Sequence, residues 1–314
     1  MKGLKIIGMG RSVPSQCITN DQLSTWMDTS DEWISSRTGI RQRYFCTPEE
    51  SCSTLALEAA RSALASAGLS ADDLGLIVTA TFTADYRTPS VACQVQQGLQ
   101  MNHPVPCFDL NAACSGFVYA LETARCLLAG GNAGRYALVI GAECLSRILN
   151  QQDRGTFVLF GDGAAAAVVE LSDSPYACVW GAKGEVEQLN APSLVPEQPG
   201  VLSMDGRAVF RFAVDALPRC LQELCQQSGT TLEQLNQIVC HQANSRIIDH
   251  VVKKLGANPA QFYKNMDRYG NTSAASIPLA LSELWEQGAF PAGSQVACVG
   301  FGAGLTWGGC LLTF

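Results

Sequence analysis

Residues 108–130 read F-D-L-N-A-A-C-S-G-F-V-Y-A-L-E-T-A-R-C-L-L-A-G, from Phe108 to Gly130. The pattern predicts a short strand over Val105 to Leu110, a tight connection over Asn111 to Ala113, and an apolar helix over Ser115 to Ala129, ended by Gly130. Cys114 therefore falls where a buried helix begins. Unsatisfied N–H groups and the helix dipole favour thiolate there, and can pull a cysteine from about 8.5 towards neutrality. The same N–H groups suit a developing oxyanion. A small buried core residue is the other reading of Cys114, and this stretch alone leaves both open.

Working outward, the 314 residues are 47% hydrophobic and 16% charged, enough for one large core or two medium ones. A net charge of −7 argues against nucleic acid as a partner, because binding phosphate needs a dominant basic face. No apolar run approaches the roughly 18 residues of a membrane span, and Lys5 to Gly10 is too short and glycine-broken for a signal-peptide core. A cytoplasmic protein without a membrane partner is expected. The fourteen cysteines are scattered singly in apolar segments, with no C-x-x-C pair, and read as reduced thiols rather than a disulfide framework or zinc site. Three histidines, His103, His241 and His250, are too few for a multi-histidine metal centre.

Strands apolar on both faces, such as Leu74 to Ala80 and Tyr136 to Gly141, alternate with helices such as Ser53 to Ala67. That alternation predicts an α/β architecture with helices covering the sheet. The second half repeats the first. Asp109-x5-Ser115 leads into a helix stopping at Gly130, and Asp267-x5-Ser273 into one stopping at Gly288, an offset of 158 residues. Flanking strands recur at offsets of 161 and 159 (Ile77 with Ile238, Gly141 with Gly300). The expected organisation is two duplicated halves, 1–172 and 173–314.

Duplication brings chemistry together from equivalent ends. His241 begins H-Q-A-N-S-R at a strand end, with Asn244 a candidate helix cap. Asn271 sits in Y-G-N-T-S-A-A-S, a loop into a helix, and Gly300-Phe-Gly-Ala-Gly304 leaves a strand with exposed N–H groups.

Together with Asp28-Thr-Ser-Asp-Glu-Trp-Ile34, Arg37-Thr-Gly-Ile-Arg41, Asp153-Arg-Gly-Thr156, Phe160-Gly-Asp-Gly163 and Thr306-Trp-Gly308, these motifs resemble the condensing enzymes of the thiolase superfamily. The likeness spans the chain and is greatest to the β-ketoacyl-acyl-carrier-protein synthase III branch. It implies an α/β, thiolase-like fold in α-β-α-β-α layers, and catalytic residues at Cys114, His241 and Asn271. Elongating synthases use two histidines, and neither His103 nor His250 occupies an Asn271-like loop. Degradative thiolases use a second cysteine in the glycine loop, whereas Cys298 lies on the preceding strand.

The implied reaction is decarboxylative condensation of an acyl-CoA primer with malonyl-acyl-carrier protein, with backbone N–H groups of Cys114 and Ala303 as oxyanion hole. Coenzyme A arrives as substrate, so no cofactor or metal is implied. By the same resemblance Trp33 and Arg154 flank the adenine, Arg37 lies near the phosphates, and Gly206, Phe210 and Asn244 line the pantetheine tunnel. Arg246, His250, Lys253 and Lys254 recur on one helical face, joined by Arg211 through the resemblance, as a dock for an acidic carrier protein. Thr88 stands where acetyl-specific members carry a phenylalanine that closes the partner's acyl pocket, which implies a homodimer and a roomier pocket. The other readings are a related ketosynthase of secondary metabolism and, in a different class, a cysteine hydrolase passing the acyl group to water.

Overall fold

The computed structural model describes residues 2–131, 133–192 and 200–314. Nine strands build its two large sheets: β1 (Gly3–Ser12), β2 (Leu74–Ala80), β3 (Cys107–Leu110), β4 (Tyr136–Glu143), β5 (Gly163–Ser172), β6 (Ala177–Glu185), β7 (Gln237–Cys240), β8 (Gln295–Gly302) and β9 (Gly304–Thr313). The first sheet has the order β1-β5-β4-β2-β3, and the second β6-β9-β8-β7. In both, the first two neighbouring pairs are antiparallel and the next is parallel. A parallel bridge from Ile238 to Phe262 stands where the second sheet would carry a fifth strand. The fold is thus duplicated down to strand order.

Each sheet is buried on both faces, which explains the apolar strands. Ala164 to Val169 on β5 are all fully buried, with Ala166 and Val168 packed against helix Cys52–Ala67 and Ala165 against Ala275 and Leu279. Helices Gly116–Ala129 and Ser276–Glu286 fill the middle layer and are apolar nearly all round, as buried helices must be. Helices Gly206–Ser228 and Ser245–Leu255 cover the far face of the second sheet. The result is five layers, α-β-α-β-α. Helix Cys52–Ala67 starts at a Ser51 cap and stops at Gly68 in the left-handed region, the boundary its sequence suggested to within one residue.

Two details differ from the sequence reading. The third strand starts at Cys107 rather than Val105, and the helix after Cys114 begins at Gly116, preceded by a tighter 3₁₀ turn over Ala113–Ser115. That turn has a twin at Ser273–Ala275, so the halves align here at 160 residues rather than 158. Matching the serines misled: Ser115 corresponds to Ala275, while Ser273 corresponds to Ala113. Ala113 and Ser273 both adopt left-handed backbone, φ 47° and 48°. Such angles cost about 1 kcal/mol or more in residues with a side chain, and they mark where each helix is turned into the interface between the halves.

Candidate active site

The first of each pair of aligned turns opens with an asparagine. Asn111 Oδ1 accepts the Ala113 N–H at 3.0 Å, and Asn271 Oδ1 accepts the Ser273 N–H at 2.9 Å. Asn111 is exposed, whereas Asn271 is buried at the junction. Because Asn271 Oδ1 is occupied, its amide N–H groups are the part left to face a ligand. The main chain of Asn271 is pinned by Leu159 O and Gly161 N, at 2.8 and 3.0 Å. Gly270 before it has φ +66°, and a Cβ there would lie 2.9 Å from Leu159 O.

Cys114, His241 and Asn271 line one cavity of about 230 Å³. Cys114 lies in the 3₁₀ turn, His241 just past the end of β7, and Asn271 in the loop before the second turn. The cavity runs past Phe210, Gly206 and Asn244 to Trp33 and Arg37 at the surface. The Trp33 ring lies under two guanidiniums, Arg37 at 4.7 Å and Arg154 at 4.6 Å from its centroid. Asn244 also caps helix Ser245–Leu255, accepting the Arg246 N–H. Cys114 opens as well onto a second cavity of about 240 Å³, lined by Phe82, Asn111, Leu202, Ser273 and Ala303 among others. Cys114 thus faces both cavities, with Phe160 and Leu189 also lining each.

Drying the site sets its protonation. Burial pushes His241 down to about 3, so the ring is neutral. Its Nδ1 lies 2.6 Å from Ser276 Oγ, and Phe301 packs edge-on at 5.3 Å. With the Ser276 hydroxyl donating to Nδ1, Nε2 carries the proton. Burial pushes Cys114 up to about 12, against the expectation from its helix start alone: desolvation of the thiolate outweighs the N–H groups, and the charge of nearby Glu143 adds to it.

Gly302 shows how closely the halves meet, since a Cβ there would lie 2.6 Å from Cys114 N. Thr306 Oγ1 ties the same hairpin to Ala112 O and Ser115 Oγ, at 3.0 and 2.6 Å. Ala303 has no left-handed strain, so alanine suits the loop.

Other expected site residues sit further out. Thr88 is exposed and lines neither cavity of its own chain. Lys254 and Arg246 are exposed while tethered to neighbouring elements, Lys254 to Asp215 at 2.7 Å and Arg246 to Ser36 O at 3.0 Å. Lys253 is exposed on the same helix, and Arg211 is exposed on helix Gly206–Ser228, in a depression with Lys183 and Glu185. Arg43, in the short strand Gln42–Phe45, is fully buried and donates to Ile18 O, Asn20 Oδ1 and Val158 O. Among the described residues one trio, Cys46, Cys144 and Asp162, has the spacing of metal ligands. Its carboxylate is already taken by Ser146 and the Cys46 N–H.

Sequence reasoning missed Ser276, Phe301, Ser273 and Glu143. Ser276 stands one turn past Asn271 in the quoted loop, so an orienting partner for His241 was within view. Glu143 offered only a lone carboxylate ending an apolar strand.

Two family models match: "3-Oxoacyl-[acyl-carrier-protein (ACP)] synthase III" over residues 108–184 and its C-terminal counterpart over 225–314. A protein of Clostridium perfringens named β-ketoacyl-[acyl-carrier-protein] synthase III is 44% identical over 325 residues, covering 99% of each chain. The crystal structure of 3-oxoacyl-[acyl-carrier-protein] synthase III from Aquifex aeolicus superposes with TM-score 0.93 at 41% identity, over 99% of this chain and 100% of that one. A priming β-ketosynthase from the R1128 polyketide pathway superposes at 0.94 with 35% identity, over 100% and 96%. The fold is therefore thiolase-like.

Proposed function

The chain belongs to the 3-oxoacyl-[acyl-carrier-protein] synthase III family, and on that premise we propose that it condenses an acyl-CoA primer with malonyl-acyl-carrier protein to start fatty acid synthesis. The observation that carries this reading is the one cavity that Cys114, His241 and Asn271 line together, reached by a channel that opens at Trp33.

In the first half-reaction Cys114 sulfur attacks the acyl thioester, and the N–H groups of Cys114 and Ala303 hold the tetrahedral oxyanion. Coenzyme A leaves along the channel. Trp33 and Arg154 would take its adenine between them, the arginine swinging off the ring, while Arg37 meets the phosphates and Gly206, Phe210 and Asn244 guide the pantetheine arm. The acyl chain enters the second cavity. Malonyl-carrier protein then uses the same channel, and its carboxylate departs as carbon dioxide. The electron pair left behind is delocalised onto the thioester oxygen, where His241 Nε2–H and the Asn271 amide donate hydrogen bonds. A neutral ring suits this role, because a cation buried there would first have to be desolvated. The enolate carbon attacks the acyl-cysteine, and the 3-ketoacyl product leaves on the carrier protein. The reaction draws on no metal or prosthetic group.

The protein is proposed to work in the cytoplasm as a homodimer; no helix among the described residues is long and apolar enough to cross a membrane. Its similarity to a polyketide priming synthase keeps a secondary-metabolic primer as the second reading.

Single-turnover assays of each half-reaction test the assignment. Cys114→Ala should take no acyl group. His241→Ala and Asn271→Ala should acylate within about tenfold of the parent yet condense roughly 10² to 10³ times more slowly. Normal condensation by His241→Ala, or release of free acid in place of ketoacyl product, would contradict the scheme.

Primer length follows from Thr88 acting across the dimer. Each buried methylene contributes about 0.8 kcal/mol, nearly fourfold in affinity. Thr88→Phe should slow acylation by hexanoyl-CoA at least tenfold while changing acetyl-CoA less than threefold, in a protein that sediments as a dimer. A parent that prefers acetyl-CoA and is indifferent to the substitution would refute this.

For docking, Arg246→Glu combined with Lys253→Glu should raise KM for malonyl-carrier protein about tenfold and leave KM for acyl-CoA unchanged. Equal changes in both would place the dock elsewhere.

A further inference from the structure

Acylation of Cys114 releases one proton that needs a destination. Cys114 starts as a thiol, held in that form by burial, and His241 beside it is a weak base for the same reason. Making a thiolate in this cavity therefore needs another acceptor, or the acylation barrier carries the full cost of separating charge in a dry site.

A third buried titratable group lies close enough to Cys114 for its charge to oppose the thiolate, and the condensation chemistry makes no use of it. Glu143 ends β4 and is 0% exposed. Its Oε2 accepts from Thr81 Oγ1 at 3.2 Å, from Phe82 N at 3.3 Å and from the Thr83 hydroxyl. Its Oε1 has no hydrogen-bond partner among the described residues, and neither has the Ser273 hydroxyl. Ser273 is close enough to Cys114 and to Glu143 to perturb the titration of both, although it makes a well-formed hydrogen bond with neither. It lines the second cavity together with Cys114. The left-handed turn anchored by Asn271 Oδ1 aims this hydroxyl inward, so one loop carries both the amide of Asn271 and the link between thiol and carboxylate.

An unpaired buried oxygen on a carboxylate is expensive, and such groups usually have a reason for being there. Among the described residues, the groups facing Glu143 bring no cation to neutralise it. Loop 81–83 contributes hydroxyls and one N–H, the 273–275 turn a hydroxyl, and the adjoining strand β5 places Gly163 opposite it. Asp162, next to Gly163, is turned towards Ser146 and Cys46, and the thiol of Cys144 is surrounded by those of Cys46 and Cys52. Burial accordingly raises Glu143 to about 7, where it exchanges a proton near neutrality.

We propose that Glu143, acting through the Ser273 hydroxyl, accepts the Cys114 proton during acylation and keeps it while the enzyme is acylated. This rests on the reading of Cys114 as the acylated nucleophile. As the Cys114 sulfur bonds to the thioester carbon, the S–H proton moves to Ser273 Oγ and the serine's own proton moves to Glu143 Oε1. The tetrahedral adduct collapses, the carbon–sulfur bond to coenzyme A breaks, and the coenzyme A thiolate takes a proton from solvent. After condensation the bond from Cys114 to the acyl carbon breaks, and the thiolate recovers the stored proton along the same path. Glu143 is neutral while the enolate forms, so the pocket never holds both anions. A carboxylate left ionised there would oppose the enolate as it opposes the Cys114 thiolate.

The test is single-turnover acylation by butyryl-CoA from pH 5.5 to 8.5 in the parent, Glu143→Gln, Ser273→Ala and the double variant. Condensation is measured separately on enzyme acylated to completion beforehand. The base form of Glu143 grows as pH rises through about 7, so parent acylation should rise over that range and then level off. Glu143→Gln keeps acceptors for Thr83 and Phe82; it should acylate about 10²-fold more slowly, with the inflection near 7 gone. Ser273→Ala should match it, and the double variant should be no slower than either single one. C–C bond formation on the preformed acyl-enzyme should stay within threefold. Equal losses in both half-reactions, additive losses in the double variant, or an inflection near 7 persisting in Glu143→Gln would overturn the relay. A parent that takes up no acyl group would overturn the underlying reading of Cys114 instead.

Discussion

Exclusion of water where the two sheets meet is the constraint on which this structure depends. A buried imidazole is pushed towards its neutral form and a buried thiol towards its protonated form, so one physical cause sets the resting state of both His241 and Cys114. A site with these properties cannot be a surface groove. It needs a sheet on each side and helices between, which the five-layered fold supplies. The close contact of Gly302 with Cys114 N, and the bonds of Thr306 to Ala112 and Ser115, hold the two halves together at the site.

Duplication explains how such a site arises from ordinary parts. Each half carries an asparagine, a left-handed residue and a 3₁₀ turn leading into a buried helix. In the first half the turn presents Cys114, with Ala274 at the corresponding place in the second. The second half instead keeps its asparagine buried and adds Ser276, aligned with Gly116, to orient His241. One scaffold used twice thus places the proposed nucleophile on one copy and the proposed anion-stabilising pair on the other.

Much of this was legible in the sequence because it depends on local pattern. Strand Leu74–Ala80 followed from residues apolar on both faces, and the Gly68 boundary from helix-stop chemistry. What remained hidden depends on contacts distant in sequence. The sign of the shift at Cys114 required knowing its burial, since a helix start taken alone argues the other way. Lys254 looked free until helix Gly206–Ser228 brought Asp215 alongside it, and nothing local marked Arg43 for the three acceptors that enclose it. The two-residue error in the repeat came from aligning like residue types, where backbone angle at Ala113 and Ser273 was the feature shared.

The claim that dryness governs the site is tested most directly by the protonation of His241. ¹⁵N-labelled histidine, observed by NMR between pH 7.5 and 4 and assigned by loss of one signal in His241→Gln, reports that state without reference to turnover. The account predicts a neutral ring over the whole range, with the nitrogen bonded to Ser276 unprotonated and no inflection, as burial to about 3 requires. An inflection near the ordinary value of about 6.5 would mean that water reaches the ring, and would contradict the account.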